Sequence, residues 1–286
     1  MLDWILEPFE MVYMQKALLA IILISVMCAA LGVYVVLRRM ALVGDALAHT
    51  TLPGIVICHY KGWNILIGAF CADIVTALGI AWLSRKQQIK EDTAMGIFFS
   101  GMFALGIIMM SVLKSSADLK HILFGSIMGI ESSDILLLSI VLIIILSVMS
   151  LFHKELELSS FDETYGHHIG IRPDFIRYVL LILIALCVVS CVRFVGVVLT
   201  SAMLVTPAAT AGMLTKRLQP MIFYSIGLAV LSGISGLYLS YYLNWPSGAS
   251  IVASGIILFI VVKLLSFIRH LMTQGNSDHR DAVCHD

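Results

Sequence analysis

Within residues 42–54, LVGDALAHTTLPG, a carboxylate at Asp45 and an imidazole at His49 stand four residues apart among apolar neighbours. On a helix that spacing puts both side chains on one face, one turn apart. A carboxylate oxygen and an imidazole nitrogen are donors that suit a divalent transition metal. Each ionisable side chain at membrane depth costs at least about 2.5 kcal/mol on insertion scales, so such a pair marks a functional face by default. The alternative is that Asp45 pairs with Arg38 or Arg39 and His49 is an ordinary hydrogen-bonded helix residue. Gly44 precedes the pair and Pro53 follows it. They predict a broken or bent span, tolerated in lipid only where backbone lines a cavity or is buried in protein. Asp73, near the middle of the next apolar run, is a possible further metal ligand, with path-lining and structural roles both open.

The elements that must position these residues follow from composition. The chain has 286 residues, 60% hydrophobic and 13% charged, with a mean hydropathy of +0.99. Apolar stretches of about 20 residues recur along it, the pattern of an all-α, polytopic transmembrane helical bundle surrounded by membrane lipid. The formal net charge is zero, which gives no sign of nucleic-acid binding. The first apolar run has no basic lead and no small-residue cleavage site, so it reads as a retained span. About nine spans are expected, near residues 13–37, 41–60, 63–83, 94–113, 135–152, 176–192, 194–214, 221–243 and 251–267, with one short span allowed to be re-entrant. Residues 1–270 then form one transmembrane domain and 271–286 a disordered cytoplasmic tail. With the N-terminus outside and the C-terminus inside, 13 of the 18 lysines and arginines fall on the inner side and 5 on the outer, as positive-inside bias requires.

The seventh span carries Gly196 and Pro207 and reads as interrupted, like the second. Paired interrupted segments in the two halves of a transporter point to a central pathway, which makes Gly44, Pro53 and Pro207 hinge candidates. The hydroxyls of Thr200, Ser201 and Thr206 are expected to bond their own helix. Cys28, Cys58, Cys71, Cys187 and Cys191 lie in apolar runs and are expected as small buried hydrophobes. Cys187 and Cys191 share a helix face, but zinc-site spacing is absent.

The longest polar segment, residues 153–173, lies on the inner side in this topology. Ser159-Ser160 before Phe161, Asp162 and Glu163 predicts a helix N-cap with acids in the first turn, and Gly166 and Gly170 allow the chain to turn back. Such a helix can dock a partner or lie on headgroups. The sequence has no G-x-x-x-x-G-K-[ST], so any ATP hydrolysis through a P-loop needs a separate subunit, and no H-E-x-x-H points to an intramembrane hydrolase. A secondary transporter using Asp45, His49 and Asp73 as a proton relay is the competing class.

Five segments, LRRMALVGDALAHTTLPG, DLKHILFGSIMGIESSD, SFDETYGHHIGI, VGVVLTSAMLVTPAATA and YYLNWPSGASIV, occur in an order that resembles the permease subunit of bacterial ABC importers for manganese, zinc or iron. The first segment resembles, more distantly, the permeases for cobalamin and iron siderophores, whose counterpart lacks the Asp and His pair. The resemblance implies the type II importer permease fold in the bacterial inner membrane. It also implies a second permease copy, a cytoplasmic ABC ATPase that uses ATP, and an external or periplasmic metal-binding protein. Asp45 and His49 would belong to the path of the transported ion, with no permanently bound cofactor, and Phe161 to Gly170 would form the helix that couples to the ATPase. His167-His168 and Thr206 depart from the family pattern.

Overall fold

A computed structural model describes residues 11–84, 89–113, 129–161 and 173–283. Among them the secondary structure is helical, with no strand: α1 (Val12–Leu37), α2 (Val43–Thr50), α3 (Leu52–Lys61), α4 (Ile65–Ser84), α5 (Glu91–Val112), α6 (Ser132–Leu151), α7 (His153–Phe161), α8 (Pro173–Val195), α9 (Val197–Leu214), α10 (Leu218–Leu243) and α11 (Ser247–Val283). Eight of these helices are long and apolar enough to cross a membrane. The short helices α2 and α3 lie end to end over residues 43–61; at 1.5 Å per residue they reach about 28 Å, enough for one further, broken passage.

A helix that is apolar all round belongs in the middle of a bundle, and α1 and α8 take that place, most of their spans being buried. Helices α9 and α10 pack on one side of α1 and α6 on another, while α8 packs against α4 and touches α2. The broken passage sits between α4 and α5 on one side and α9 on the other. Ile107, Ile143, Ile257 and Leu264 point outward, an apolar surface of the kind that membrane lipid covers.

Contacts at the helix ends sort the passes. At one end Arg177 pairs with Glu91 and donates to the Ser84 carbonyl, Arg38 donates to Ser159 at 2.7 Å, and Gln219 meets His153 at 3.4 Å. At the other end Arg193 pairs with Asp134 at 3.5 Å, and a Cβ on Gly248 would meet the Val195 carbonyl. Counting α2 and α3 as one pass gives nine alternating passes, so α1 begins at the face opposite the one where the last pass finishes.

Several local expectations are corrected. Gly44 is not a break but an ordinary helical residue of α2; the interruption lies at Thr51, because Pro53 has no N–H to continue the ladder. Beside it the Thr51 hydroxyl donates to the Ala48 carbonyl at 2.7 Å, and the single Thr50 hydroxyl proton is shared between the Leu47 carbonyl at 3.0 Å and a carboxylate oxygen of Asp73 at 3.1 Å. Gly196, at φ 80°, is the whole connection between α8 and α9, while α9 runs unbroken through Pro207. Ser159 and Ser160 lie in the last turn of α7, whose earlier turns HKELEL forms, with His153 and Glu157 one turn apart at 3.9 Å; the helix expected to follow them lies outside the described residues. Cys71 is exposed on the bundle surface. The last helix, α11, runs from Ser247 to Val283.

A close helix crossing joins α3 to α4. A Cβ on Gly54 would run into the Gly68 carbonyl, and one on Gly68 into the Gly54 carbonyl, so two glycines face each other and let the backbones touch. A Cβ on Gly44 would meet α9 only at ordinary contact distance, 3.4 Å from the Ser201 Cα. Gly54→Ala should therefore destabilise the purified chain by about 1–3 kcal/mol of overpacking, and Gly44→Ala should leave it within experimental error. Thermal unfolding of both variants in detergent measures the contrast.

Candidate functional site

The broken passage carries the pair. Asp45 lies in the first turn of α2 and His49 in its last, so the acid sits at the positive end of the short helix and the imidazole near the negative one. The His49 Nε2 to Asp45 Oδ1 distance is 3.9 Å, too long for a hydrogen bond. Metal–ligand bonds near 2.1 Å span an edge of about 3.4 Å in a tetrahedron, so closure by about half an ångström would let both donors reach one ion. Among the described residues, the ion-pair contact of Asp45 is with His49, not with Arg38 or Arg39.

Two aromatic rings fix the imidazole. Phe99 and Phe103, one turn apart on α5, meet the His49 ring edge-to-face at 5.3 and 5.4 Å between centroids. Their edge-to-face contacts help to orient the ring. The Asp45 side chain is 49% exposed and that of His49 20%, so the pair opens to the surface of the single chain between α5 and α9.

Asp73 lies elsewhere. It is fully buried, and Thr50 donates to its Oδ1 at 3.1 Å, while its Oδ2 has no hydrogen-bond partner. The Gly54–Gly68 crossing brings these residues together, since the antiparallel α3–α4 contact continues from that glycine pair to Thr50 and Asp73. Asp73 is thus tied to the residue next to His49 but does not face Asp45. A cavity of about 620 Å³ opens between α3, α4 and α8, reaching from Trp63, Asn64 and Arg193 down to Thr51 past Ile55 and Val189. Asp45 and His49 do not line it: at 100° per residue, Thr51 and Ile55 project from the opposite side of the passage.

Of the other expected residues, Thr200 and Ser201 bond their own helix, to the carbonyls of Gly196 at 2.7 Å and Val198 at 3.2 Å. Pro207 is buried in α9. Phe161 closes α7, and Asp162, Glu163, Gly166 and Gly170, with His167 and His168, lie outside the described residues. Sequence reasoning missed Phe99 and Phe103, whose i, i+4 spacing was visible but whose partner was not. It also missed the Arg38–Ser159 bond, which joins α7 to the turn leading into α2, and a meeting of Cys28 with Cys187 and Cys191.

A helical bundle that has eight candidate spans among its described residues and an ionisable pair on a further, interrupted passage has the build of a membrane transport protein. Residues 10–266 match the ABC 3 transport family, and the chain belongs to it, as a multi-pass membrane permease. It is 43% identical to the manganese transport system membrane protein MntC of Listeria monocytogenes, over 89% of this chain and 91% of that one. It is 39% identical to a probable iron transport system membrane protein of Haemophilus influenzae, over 94% and 99%. Among solved structures it is similar to a chain of PsaBC from Streptococcus pneumoniae in complex with Fab, with a TM-score of 0.79 and 36% identity over 91% of this chain and 94% of that one.

Because Thr50 is the one donor that reaches Asp73 among the described residues, Thr50→Val should leave a buried carboxyl without partners, at a cost of about 1–3 kcal/mol. A double-mutant cycle with Asp73→Ala, read by thermal unfolding, should return most of that loss as coupling.

Proposed function

We propose that this chain is the membrane-spanning permease of an ATP-driven importer of divalent transition-metal ions, with manganese the preferred cargo. The single observation that carries the reading is the half-exposed Asp45 beside His49 on a passage whose other surroundings are apolar. A carboxylate there has to face water, an ion or another polar subunit, since lipid cannot solvate it. A carboxylate donor suits manganese, and relatives over 40% identical carry manganese transport in their names.

Asp45 and His49 supply two donors, and an ion in transit takes the remainder from water or from a second copy of the permease closing the α5–α9 opening. Binding is brief because two ligands hold weakly, which a transport path requires. Asp73 supports this face through Thr50 and is a positioning residue in our reading rather than a ligand. Pro53 sets where the passage is interrupted after His49, and Pro207 loosens α9, on which Gly44 packs.

The chain end bearing Arg38, Lys90, Arg177, Lys216 and Arg217 is the cytoplasmic one, by charge bias; the N-terminus is then external. A separate ABC ATPase docks there on Phe161 to Gly170, including Asp162, Glu163 and Gly166, and an external metal-binding protein delivers the ion at the other face. Movement of that segment reaches the metal pair through α7, because Ser159 holds Arg38 and Arg38 is seven residues from Asp45.

Reconstitution of the chain with its ATPase and binding protein in vesicles tests the proposal. ATP-dependent manganese uptake should fall at least tenfold in Asp45→Ala and in His49→Ala, with membrane insertion unchanged. Uptake by the chain alone under a pH gradient would instead select the secondary-transporter reading. Ser159→Ala should lower the uptake rate several-fold while leaving manganese binding intact, as measured by uptake per ATP hydrolysed.

A further inference from the structure

Away from the broken passage, three thiols converge in the core. Cys28 of α1 lies 3.8 Å from Cys187 and 3.9 Å from Cys191, sulfur to sulfur, and Cys187 and Cys191 stand one turn apart on α8. The three sulfurs all lie within 4.8 Å of one another, and all three residues are 0% exposed. Cys58, also buried, and Cys71, exposed, are not members of the group. The two helices joined are the central pair of the bundle.

The separations are those of a coordination shell. With metal–sulfur bonds of about 2.3 Å, three ligands around one ion in a plane stand about 4.0 Å apart, so the sulfurs need move by only about a tenth or two of an ångström along the two pairs that bridge α1 and α8. The ligand set then selects the ion. Three sulfurs with no oxygen or nitrogen donor favour a soft ion over manganese or iron(II), which prefer harder ligands. Zinc takes four ligands in a closed site, and among the described residues no histidine, carboxylate or further cysteine completes the group. Charge decides the rest. Nothing in the described group is basic, so excess negative charge would go uncompensated in the apolar core. One thiolate and two neutral thiols balance a single positive charge.

We propose that Cys28, Cys187 and Cys191 form a three-sulfur site for a soft monovalent cation, Cu(I), separate from the path of the divalent cargo. Loading leaves the oxidation state unchanged. A carrier thiolate brings the ion, its bond to copper breaks, one cysteine passes its proton to the departing carrier, and three Sγ–Cu bonds form. The filled site is neutral and ties α1 to α8.

The test uses the full chain, purified in detergent, with Cys58, Cys71 and Cys284 replaced by alanine so that only these three thiols remain. Cu(I) is supplied anaerobically from a glutathione buffer. One copper per chain should survive desalting, with a thiolate-to-copper absorption band in the near ultraviolet that methionine ligation does not give. Adding Cys28→Ala or Cys191→Ala should weaken retention at least tenfold and remove the band. Copper retained equally by those variants, or no band in the three-cysteine chain itself, would overturn the site. The second outcome is read without any substitution in the cluster, so a variant that fails to fold does not protect the proposal.

Discussion

A charged oxygen inside an apolar bundle has to be met by something other than hydrocarbon, and much of this structure is arranged around that requirement. Two carboxylates lie at membrane depth and are answered differently. Asp73 is sealed in the core and held by a threonine hydroxyl. Asp45 is left half-exposed, one turn from an imidazole flanked by two phenylalanine rings. The first arrangement is a buried polar contact of the core, and the second is the one we propose meets the cargo.

The break at Thr51 connects the two. Proline ends α2 directly after His49 and Thr50, so the histidine stands at a helix terminus while the adjacent threonine turns to Asp73. The crossing of Gly54 and Gly68 sets the depth at which that bond forms, since a side chain at either position would push α3 away from α4. Around this polar seam, α1 and α8 form an apolar frame in which Gly32 lets α9 approach through its Leu204 carbonyl. Membrane helices gain little from apolar burial against one another, because lipid is as apolar as leucine; close backbone approach at small residues is what holds such a frame together.

Much of this was legible in the residues. The apolar runs fixed an all-helical bundle and nearly every span, and the Asp45–His49 spacing placed both side chains on one helical face before any contact was known. Proline at 53 announced a break, although glycine at 44 did not deliver one: a glycine is compatible with helix, and in α2 it serves contact with Ser201. The one-residue turn at Gly196 was hidden because its flanks, Val195 and Val197, are as apolar as the spans they end. What no one-dimensional pattern holds is the partner across space. The rings beside His49 come from α5, about 50 residues away, the hydroxyl for Asp73 from α2, two helices earlier, and Cys28 meets its two partners across more than half the chain. The family resemblance read from five segments agrees with the match over residues 10–266.

The central claim is that the face of Asp45 and His49 opens to water and to the cargo, not to lipid or packed protein. The most direct measurement is the accessibility of a cysteine placed there: Asp45→Cys in the assembled transporter, with Cys71 and Cys284 removed, treated with a charged thiol reagent that does not enter lipid. The account predicts modification at a rate within about tenfold of a surface control at Lys90→Cys, slowed by millimolar manganese. No modification in any nucleotide state, with the control fully labelled, would mean that the pair is sealed and that the ion crosses elsewhere.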